Sequence, residues 1–130
     1  MHRRYSVGVP VRWASSSMSL AGDVAIVTGG GDGIGGATAR RLAEEGASVL
    51  IVEISKELGE ENAAAIRAGG GVAEAVVLDV SSSVDVQKMV ETAVERFGKL
   101  TLLVNNAWVD ASREWLLLVC RLTLCVRVCR

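Results

Sequence analysis

Short apolar runs alternate along this chain with longer segments in which apolar residues recur every three or four positions. The apolar runs predict strands at residues 24–28, 48–53, 72–80 and 100–105. The segments with helical spacing predict helices at residues 34–45, 56–68 and 84–97. Apolar strands separated by amphipathic helices are typical of a parallel sheet that is covered on both faces. With right-handed crossovers, the pattern therefore predicts an α/β fold with a doubly wound parallel sheet.

Each predicted helix has one apolar face. In the first helix, the residues that share this face are Ile34, Ala37, Thr38 and Leu42. In the second helix, the residues expected to face inward are Leu58, Ala65 and Ile66. In the third helix they are Val86, Met89, Val90, Val94 and Phe97. A serine from the run 81–83 is placed to cap the N-terminus of this third helix.

The charges divide the 130-residue chain into three parts. Residues 23–106 carry 13 acidic and 7 basic side chains, whereas residues 1–22 carry three arginines and no acid. The last 24 residues, 107–130, carry two acids and four arginines. The net charge of −1 gives no general attraction to nucleic acid or to an anionic membrane, so we expect neither as a partner. The composition predicts a folded domain over residues 21–107, with an N-terminal extension and an atypical tail.

The N-terminal extension, residues 1–20, is rich in arginine and serine and contains no acid. This composition fits a mitochondrial or plastid transit segment. It fits an unstructured extension equally well. It is also what we expect if translation starts at Met18 instead of Met1. No uninterrupted apolar stretch follows the arginines, which argues against a secretory signal. Cytoplasmic and mitochondrial locations therefore both stay open.

The tail, residues 108–130, holds all three cysteines of the chain, Cys120, Cys125 and Cys129. Their spacing matches no common zinc pattern and no histidine lies nearby, so no metal site is expected. The absence of cysteine from the rest of the chain suits a reducing compartment and gives no disulfide framework. The tail has both strand and helix character, and none of its apolar stretches reaches the ~18 residues that a membrane span needs.

Five glycines lie within residues 28–35, where the first predicted strand ends and the first predicted helix begins. The N-terminus of a helix presents unpaired N–H groups and a partial positive charge, which together attract anions. Glycines let the backbone take left-handed angles and come close to a pyrophosphate, where a Cβ atom would clash. A glycine-rich turn in this strand-to-helix context predicts phosphate binding.

An acid at the end of the second strand supports a dinucleotide as the ligand. Glu53 ends the second predicted strand about 20 residues after the glycines, where a carboxylate accepts hydrogen bonds from the adenosine ribose. A carboxylate repels a 2′-phosphate, and no lysine or arginine stands where it would neutralise one, so NAD is favoured over NADP. Two other interpretations stay open. Glu53 can be a solvated acid at a strand end, and a methyltransferase also combines a glycine-rich turn with such an acid.

Three short motifs resemble those of the short-chain dehydrogenase/reductase family. They are, in chain order, Thr28-Gly29-x-x-x-Gly33-Ile34-Gly35, Asp79-Val80 and Asn105-Asn106-Ala107. The first is similar to the family's TGxxxGxG cofactor turn, the second to its Asp-Val pair and the third to the start of its NNAG motif. The resemblance covers about residues 19–107, the first half of a typical member. It implies a Rossmann-like sheet with strand order 3-2-1-4 that stops after about the fourth strand.

The resemblance also implies roles for ten residues in holding a nicotinamide dinucleotide. Those that would hold the pyrophosphate and the nearby ribose are Gly29, Asp32, Gly33, Ile34 and Gly35. The adenosine ribose would be bound by Glu53. The adenine would be bound by Asp79 and Val80. The residues near the nicotinamide-side ribose would be Asn106 and Ala107.

The residues that carry out the family's chemistry have no counterpart in this chain. That chemistry uses a serine and a Tyr-x-x-x-Lys pair, but the one tyrosine of the chain is Tyr5 and no lysine follows Lys99. Ser112 lies too close to the third motif to be the catalytic serine, so we assign no catalytic residue. Trp108 stands where the family has glycine, and we expect its indole to crowd the backbone that approaches the cofactor.

The resemblance implies the N-terminal part of an NAD(H)-dependent oxidoreductase that acts on an alcohol/carbonyl pair. A small-molecule substrate would be bound only in a complete relative, and we expect this chain to be inactive alone. One alternative is a non-catalytic module that binds NAD or pairs with a related subunit, and an oligomer is compatible with the sequence. Another alternative is a truncated product, whose residues 108–130 come from a retained intron, a frameshift or a mistaken gene model.

Overall fold

A computed structural model of the protein describes residues 19–108. Its strands are β1 (Val24–Thr28), β2 (Ser48–Glu53), β3 (Val72–Val77) and β4 (Leu102–Val104). Its helices are α1 (Gly33–Glu44), α2 (Lys56–Ala68) and α3 (Ser83–Phe97). The extension of residues 1–20 lies almost wholly outside the described residues, and so does the tail after Trp108.

All four strands are parallel and lie in the order β3-β2-β1-β4. This arrangement confirms the predicted doubly wound sheet and its strand order. β3 and β4 are shorter than predicted. β3 ends at Val77, and two residues later the amide of Asp79 donates to the carboxylate of Asp85 at the start of α3 (3.0 Å).

The sheet is covered on both faces, which explains why its central strands are apolar throughout. On one face, Ala39 and Ala43 of α1 and Ala63 and Ile66 of α2 pack against strand residues such as Val27. The other face of β1 and β2 packs against α3 through residues that are all buried, namely Ile26, Leu50, Val52, Met89 and Ala93. Every residue of β1 is therefore buried, as a strand at the centre of a two-sided sheet requires.

The predicted apolar faces of α1 and α2 are wrong in part. The buried residues of α1 are Gly35, Gly36, Ala39 and Ala43, whereas Ile34 is 81% exposed and Ala37 is also exposed. The buried residues of α2 are Gly59, Asn62, Ala63 and Ile66, whereas Leu58 and Ala65 are exposed. Both helices lie close to the sheet. A Cβ atom added at Gly59 would be 3.3 Å from the Cβ of Glu53. Small residues therefore take most of the inner face, with Ile66 as the larger exception, whereas Ile34 and Leu58 lie outside it.

The face of α3 agrees better with the prediction. Met89 is buried, and Val86, Val90 and Phe97 are partly buried against the sheet. Val94 was expected on the same face but is 46% exposed, and Ala93 is the residue that is buried beside it. Within residues 19–108, no helix has the length and apolar character that crossing a bilayer requires.

The buried sheet gives a first prediction on stability. Replacing Ile51 with alanine should lower the free energy of unfolding by about 2–5 kcal/mol, because it leaves a cavity in a packed core. Ile51 is fully buried in β2, whereas Ile54, three residues further on, is 61% exposed. The matched substitution Ile54→Ala should change the stability by less than about 0.5 kcal/mol. Urea unfolding followed by circular dichroism measures both, and equal losses would contradict the two-sided sheet.

Candidate cofactor-binding site

The glycine turn brings the end of β1 and the start of α1 into direct contact. Gly29 and Gly33 have left-handed backbone angles, with φ of 64° and 58°. The amide of Gly29 donates to the carbonyl of Val52 at 2.8 Å, which ties the turn to the end of β2. A Cβ atom at Gly35 would lie 2.2 Å from the carbonyl oxygen of Gly29 and 2.3 Å from Nδ2 of Asn106. No side chain fits at Gly35 while the helix keeps this position.

Thr28 and Asn106 join the carboxyl ends of β1 and β4. The Thr28 hydroxyl accepts hydrogen bonds from the amides of Asn106 and Ala107, both at 3.0 Å, and donates to the carbonyl of Val104. In return, Nδ2 of Asn106 donates to the carbonyls of Thr28 and Gly29, both at 3.2 Å. The two predicted motifs therefore support each other, because the third motif holds the backbone of the first.

The Glu53 carboxylate lies against the glycine turn. Oε2 accepts a hydrogen bond from the amide of Gly31 (3.1 Å), and Oε1 accepts one from the amide of Ile54 (3.0 Å). A Cβ atom at Gly31 would meet Oε2 at 2.9 Å, so this glycine is what lets the carboxylate come so close. Glu53 is half-buried in this position. It is therefore not a freely solvated acid at a strand end.

Asn62, which no motif or apolar pattern in the sequence singled out, supports the turn from α2. The Asn62 side chain is 3% exposed, and its Nδ2 donates to the carbonyls of Gly30 (2.7 Å) and Gly36 (3.3 Å). Its Oδ1 accepts a hydrogen bond from the Arg40 guanidinium at 2.6 Å. The buried positions 59, 62, 63 and 66 have helical spacing, which was a usable signal. A search for large apolar residues passes over it, because two of these four residues are glycine and asparagine.

A cleft of about 290 Å³ opens at the carboxyl ends of the strands. Its lining residues are Gly29, Val52, Glu53, Ile54, Leu78, Val80, Asn106, Ala107 and Trp108. Five of the ten residues that the sequence assigned to the site line this cleft. Gly35 is buried directly behind it, against Gly29. Among these lining residues, the charged side chain is the Glu53 carboxylate.

The first turn of α1 lies beside the cleft and differs from those of the other two helices. Ser55 and Ser82 cap α2 and α3 with their hydroxyls, and each of these helices has an acid in its first turn. α1 has no acid there, and Asp32, although at the N-cap position, makes no capping hydrogen bond. A Cβ atom at Gly33 would meet nothing within 4 Å, so the outer side of the turn is open. The amides of this helix start are available to an anion.

Asp79 stands apart from the cleft, although its neighbours Leu78 and Val80 line it. Its Oδ1 accepts hydrogen bonds from the hydroxyl (2.7 Å) and the amide (2.8 Å) of Ser81. The Ser81 hydroxyl first, and then the Ser81 amide, hold the pKa of Asp79 below its ordinary value. Asp79 is exposed and ionised, and in this structure one of its oxygens is already used by the turn that leads into α3.

Ile34 and Asp32 are exposed at the start of α1, outside the set of residues that line the cleft. Trp108 lies at the edge of the cleft and is 80% exposed. Within residues 19–108, no group of three or more histidine, cysteine or acidic side chains is arranged to hold a metal ion.

The family model described as short chain dehydrogenase matches residues 23–116 of the chain. This chain belongs to the short-chain dehydrogenase family. A 2,5-dichloro-2,5-cyclohexadiene-1,4-diol dehydrogenase from Sphingobium indicum is 46% identical over 90 residues, which are 69% of this chain and 36% of that protein. Momilactone A synthase from Oryza sativa subsp. japonica is 41% identical over 97 residues, which are 75% of this chain and 35% of that protein.

Solved structures of short-chain dehydrogenases have the same fold. A mutant short-chain dehydrogenase/reductase from Serratia marcescens has a TM-score of 0.69 at 41% identity, over 72% of this chain and 38% of its own. A hydroxysteroid dehydrogenase from Escherichia coli has a TM-score of 0.68 at 34% identity, over 69% of this chain and 37% of its own. The chain thus spans just over a third of the length of the relatives that it matches. Members of the family use nicotinamide dinucleotide cofactors.

The contact at Gly35 gives a second prediction. Gly35→Ala should destabilise the protein by about 1–3 kcal/mol, since the added methyl group overlaps the Gly29 carbonyl and the turn has to move. It should also weaken dinucleotide binding strongly. Gly36→Ala is the matched comparison, because the nearest atom to its Cβ, the Gly31 carbonyl carbon, would be 3.3 Å away, so a much smaller shift and a smaller loss are expected. Thermal unfolding and calorimetric titration measure both effects. An equal response of the two variants would show that the close contact at Gly35 is not what shapes the turn.

Trp108 gives a third prediction. If its indole crowds the approach of the cofactor, Trp108→Gly should tighten NAD binding, by an amount at the low end of the ~1–3 kcal/mol that overpacking costs. The low end is expected because the side chain is 80% exposed and can turn away from the cleft. Calorimetry with the wild type, Trp108→Gly and Trp108→Leu measures the effect. Weaker binding by both variants would show instead that the indole contacts the cofactor favourably.

Proposed function

We propose that this chain is the cofactor-binding part of an NAD(H)-dependent oxidoreductase that acts on an alcohol/carbonyl pair. We also propose that the 130 residues bind the dinucleotide without turning over a substrate. The observation that carries the proposal is the open N-terminus of α1, which lies beside the same cleft as the Glu53 carboxylate. One feature suits a pyrophosphate and the other suits a ribose diol, and a dinucleotide contains both.

The difference between the helix caps supports the pyrophosphate assignment. A serine hydroxyl and a first-turn acid satisfy the amides and the dipole at the starts of α2 and α3. At α1 the corresponding groups are left to solvent or to an anionic ligand. In this proposal the phosphates contact the turn through the backbone of Gly29, Asp32, Gly33, Ile34 and Gly35. The left-handed angles at Gly29 and Gly33 and the open space outside Gly33 suit a phosphate there.

The remaining contacts are assigned by their place around the cleft. Glu53 would accept hydrogen bonds from the adenosine ribose hydroxyls, and Val80 would pack against the adenine. Asp79 would meet the adenine amino group through the oxygen that Ser81 leaves free. Asn106 and Ala107 would lie near the nicotinamide-side ribose. When bound, the nicotinamide ring supplies the hydride acceptor or donor.

The preference for NAD over NADP follows in the proposal from the charge beside the ribose. Two backbone amides hold the Glu53 carboxylate in place, so it cannot swing away from an added 2′-phosphate without losing both hydrogen bonds. The described residues that line the cleft include no lysine or arginine. A 2′-phosphate would therefore meet a fixed negative charge with no neutralising partner among them.

Binding without turnover follows from the residues that the chain contains. The one tyrosine, Tyr5, precedes β1, and no lysine follows Lys99. A proton donor and acceptor at the substrate oxygen is needed for hydride transfer to or from a carbonyl carbon. The tyrosine–lysine pair that serves this purpose in the family is not among these residues. The name of the Sphingobium relative, a diol dehydrogenase, supports the alcohol/carbonyl class for a complete protein.

The fourth prediction tests this proposal. Calorimetric titration of the full chain should show saturable binding of NAD and weaker or no binding of NADP. Glu53→Ala should weaken NAD binding by about tenfold or more, since a hydrogen bond to a charged group contributes about 1.5–3 kcal/mol. The difference between NAD and NADP should shrink in the same variant. Glu95→Ala, which removes an exposed acid from α3, is the control and should bind NAD as the wild type does.

Two results would overturn the proposal. One is a folded wild-type chain that binds neither dinucleotide. The other is an unchanged preference for NAD in Glu53→Ala, which would remove the assigned role of this carboxylate. Production of NADH from NAD and an alcohol by the purified chain would contradict the claim that it does not turn over.

A further inference from the structure

In the peptide group between Gly30 and Gly31, the carbonyl and the N–H each form a hydrogen bond with a different side chain. Its carbonyl accepts a hydrogen bond from Nδ2 of Asn62 at 2.7 Å, and its N–H donates to Oε2 of Glu53 at 3.1 Å. Both glycines are buried, so each polar group of this peptide needs a partner within the protein. The two partners come from the end of β2 and from α2. The plane of this peptide is therefore set by the second β–α unit and not by the turn itself.

The chemistry at position 62 is specific to asparagine. The side chain must donate on one side, to the carbonyls of Gly30 and Gly36, and accept on the other, from Arg40. An amide can do both at once. An aspartate would keep the bond to Arg40 but would place an oxygen against each glycine carbonyl. A leucine of similar size would leave the Gly30 carbonyl buried without its donor, which costs more than the hydrogen bond itself contributes.

We propose that Asn62 is a positioning residue for the cofactor turn: together with Glu53 it fixes the Gly30–Gly31 peptide, and through this peptide α2 sets the affinity for the dinucleotide. The inference rests on the proposed function for its ligand. The Asn62 side chain is 3% exposed and its Nδ2 is bonded to the carbonyls of Gly30 and Gly36, so it acts through the backbone of the turn and does not touch the cofactor.

Glu53 and Asn62, the two side chains bonded to this peptide, act differently when the cofactor is bound. The Glu53 carboxylate then shares its oxygen atoms between the ribose and the amide of Gly31. The Asn62 amide has no contact with the ligand and keeps its hold on the Gly30 carbonyl. The turn therefore retains its shape while Glu53 engages the ribose. Loss of Asn62 should therefore lower the affinity most for ligands that contain the pyrophosphate, since that group binds at the turn.

The fifth prediction compares Asn62→Leu with Ile66→Ala in the full-length chain. Ile66 lies one turn further along α2, is 5% exposed and packs in the core beneath the helix, so its loss weakens α2 without touching the glycine turn. At a temperature where both variants are folded, Asn62→Leu should weaken the binding of NAD and of ADP-ribose at least tenfold. Ile66→Ala should lower the melting temperature and leave both affinities within twofold of the wild type. Asn62→Ser, which keeps one donor, should fall between them and serves where the leucine variant does not fold.

A measurement without ligand separates this inference from the proposed function. The exchange rate of the Gly31 amide hydrogen, followed by NMR, should rise about tenfold in Asn62→Leu and stay near the wild-type rate in Ile66→Ala. If the wild type binds no dinucleotide, the proposed function fails. The exchange rate of the Gly31 amide hydrogen still shows whether Asn62 holds the turn. Wild-type affinity in Asn62→Leu would overturn the inference. So would a Gly31 exchange rate that does not differ between the two variants.

Discussion

The contact between the first turn of α1 and the carbonyl of Gly29 determines the rest of this site. A Cβ atom at Gly35 would come within 2.2 Å of that carbonyl oxygen, so the helix can take this position only with glycine at residue 35. The same contact brings the open N-terminus of α1 to the carboxyl ends of β1 and β4. The position of the helix dipole relative to the cleft follows from this one close approach.

The glycine turn cannot hold its own shape, because glycine is the residue with the largest freedom to lose on folding. Side chains from three other places hold it instead. Asn106 bonds the carbonyls of Thr28 and Gly29 from the end of β4, Glu53 bonds the amide of Gly31 from β2, and Asn62 bonds the carbonyl of Gly30 from α2. Each of these side chains comes from a different strand end or helix of the α/β fold. The site is therefore a property of the whole four-stranded unit, and a strand–turn–helix segment alone would not retain it.

The sequence predicted the fold, and five of its ten candidate site residues line the cleft, because the patterns that indicate them are local in the chain. Apolar runs in a two-sided sheet are continuous, so β1 and β2 begin and end where the pattern places them. The inner faces of α1 and α2 were less predictable. Where a helix lies close to a sheet, alanine and glycine form the contact with the strands. A search for large apolar residues does not detect such a face. Ile34 was therefore placed on the apolar face of α1, although it is exposed at the start of the helix.

Asn62 could not be found by motif, because its role exists only in three dimensions: it faces a turn 32 residues earlier in the chain. Asp79 shows the opposite case. Its motif is evident in the sequence, but the hydrogen bonds from Ser81 that hold its carboxylate and lower its pKa appear only in the structure.

In the proposed function, a dinucleotide binds at the open start of α1 and beside Glu53. The most direct test is a map of backbone amide NMR shifts in the 130-residue chain as NAD is added. The largest changes should fall on residues 29–35, on Glu53 and Ile54, and on residues 105–107, with little change on the outer face of α3. Saturating changes confined to other surfaces, or no change in a well-folded chain, would contradict it.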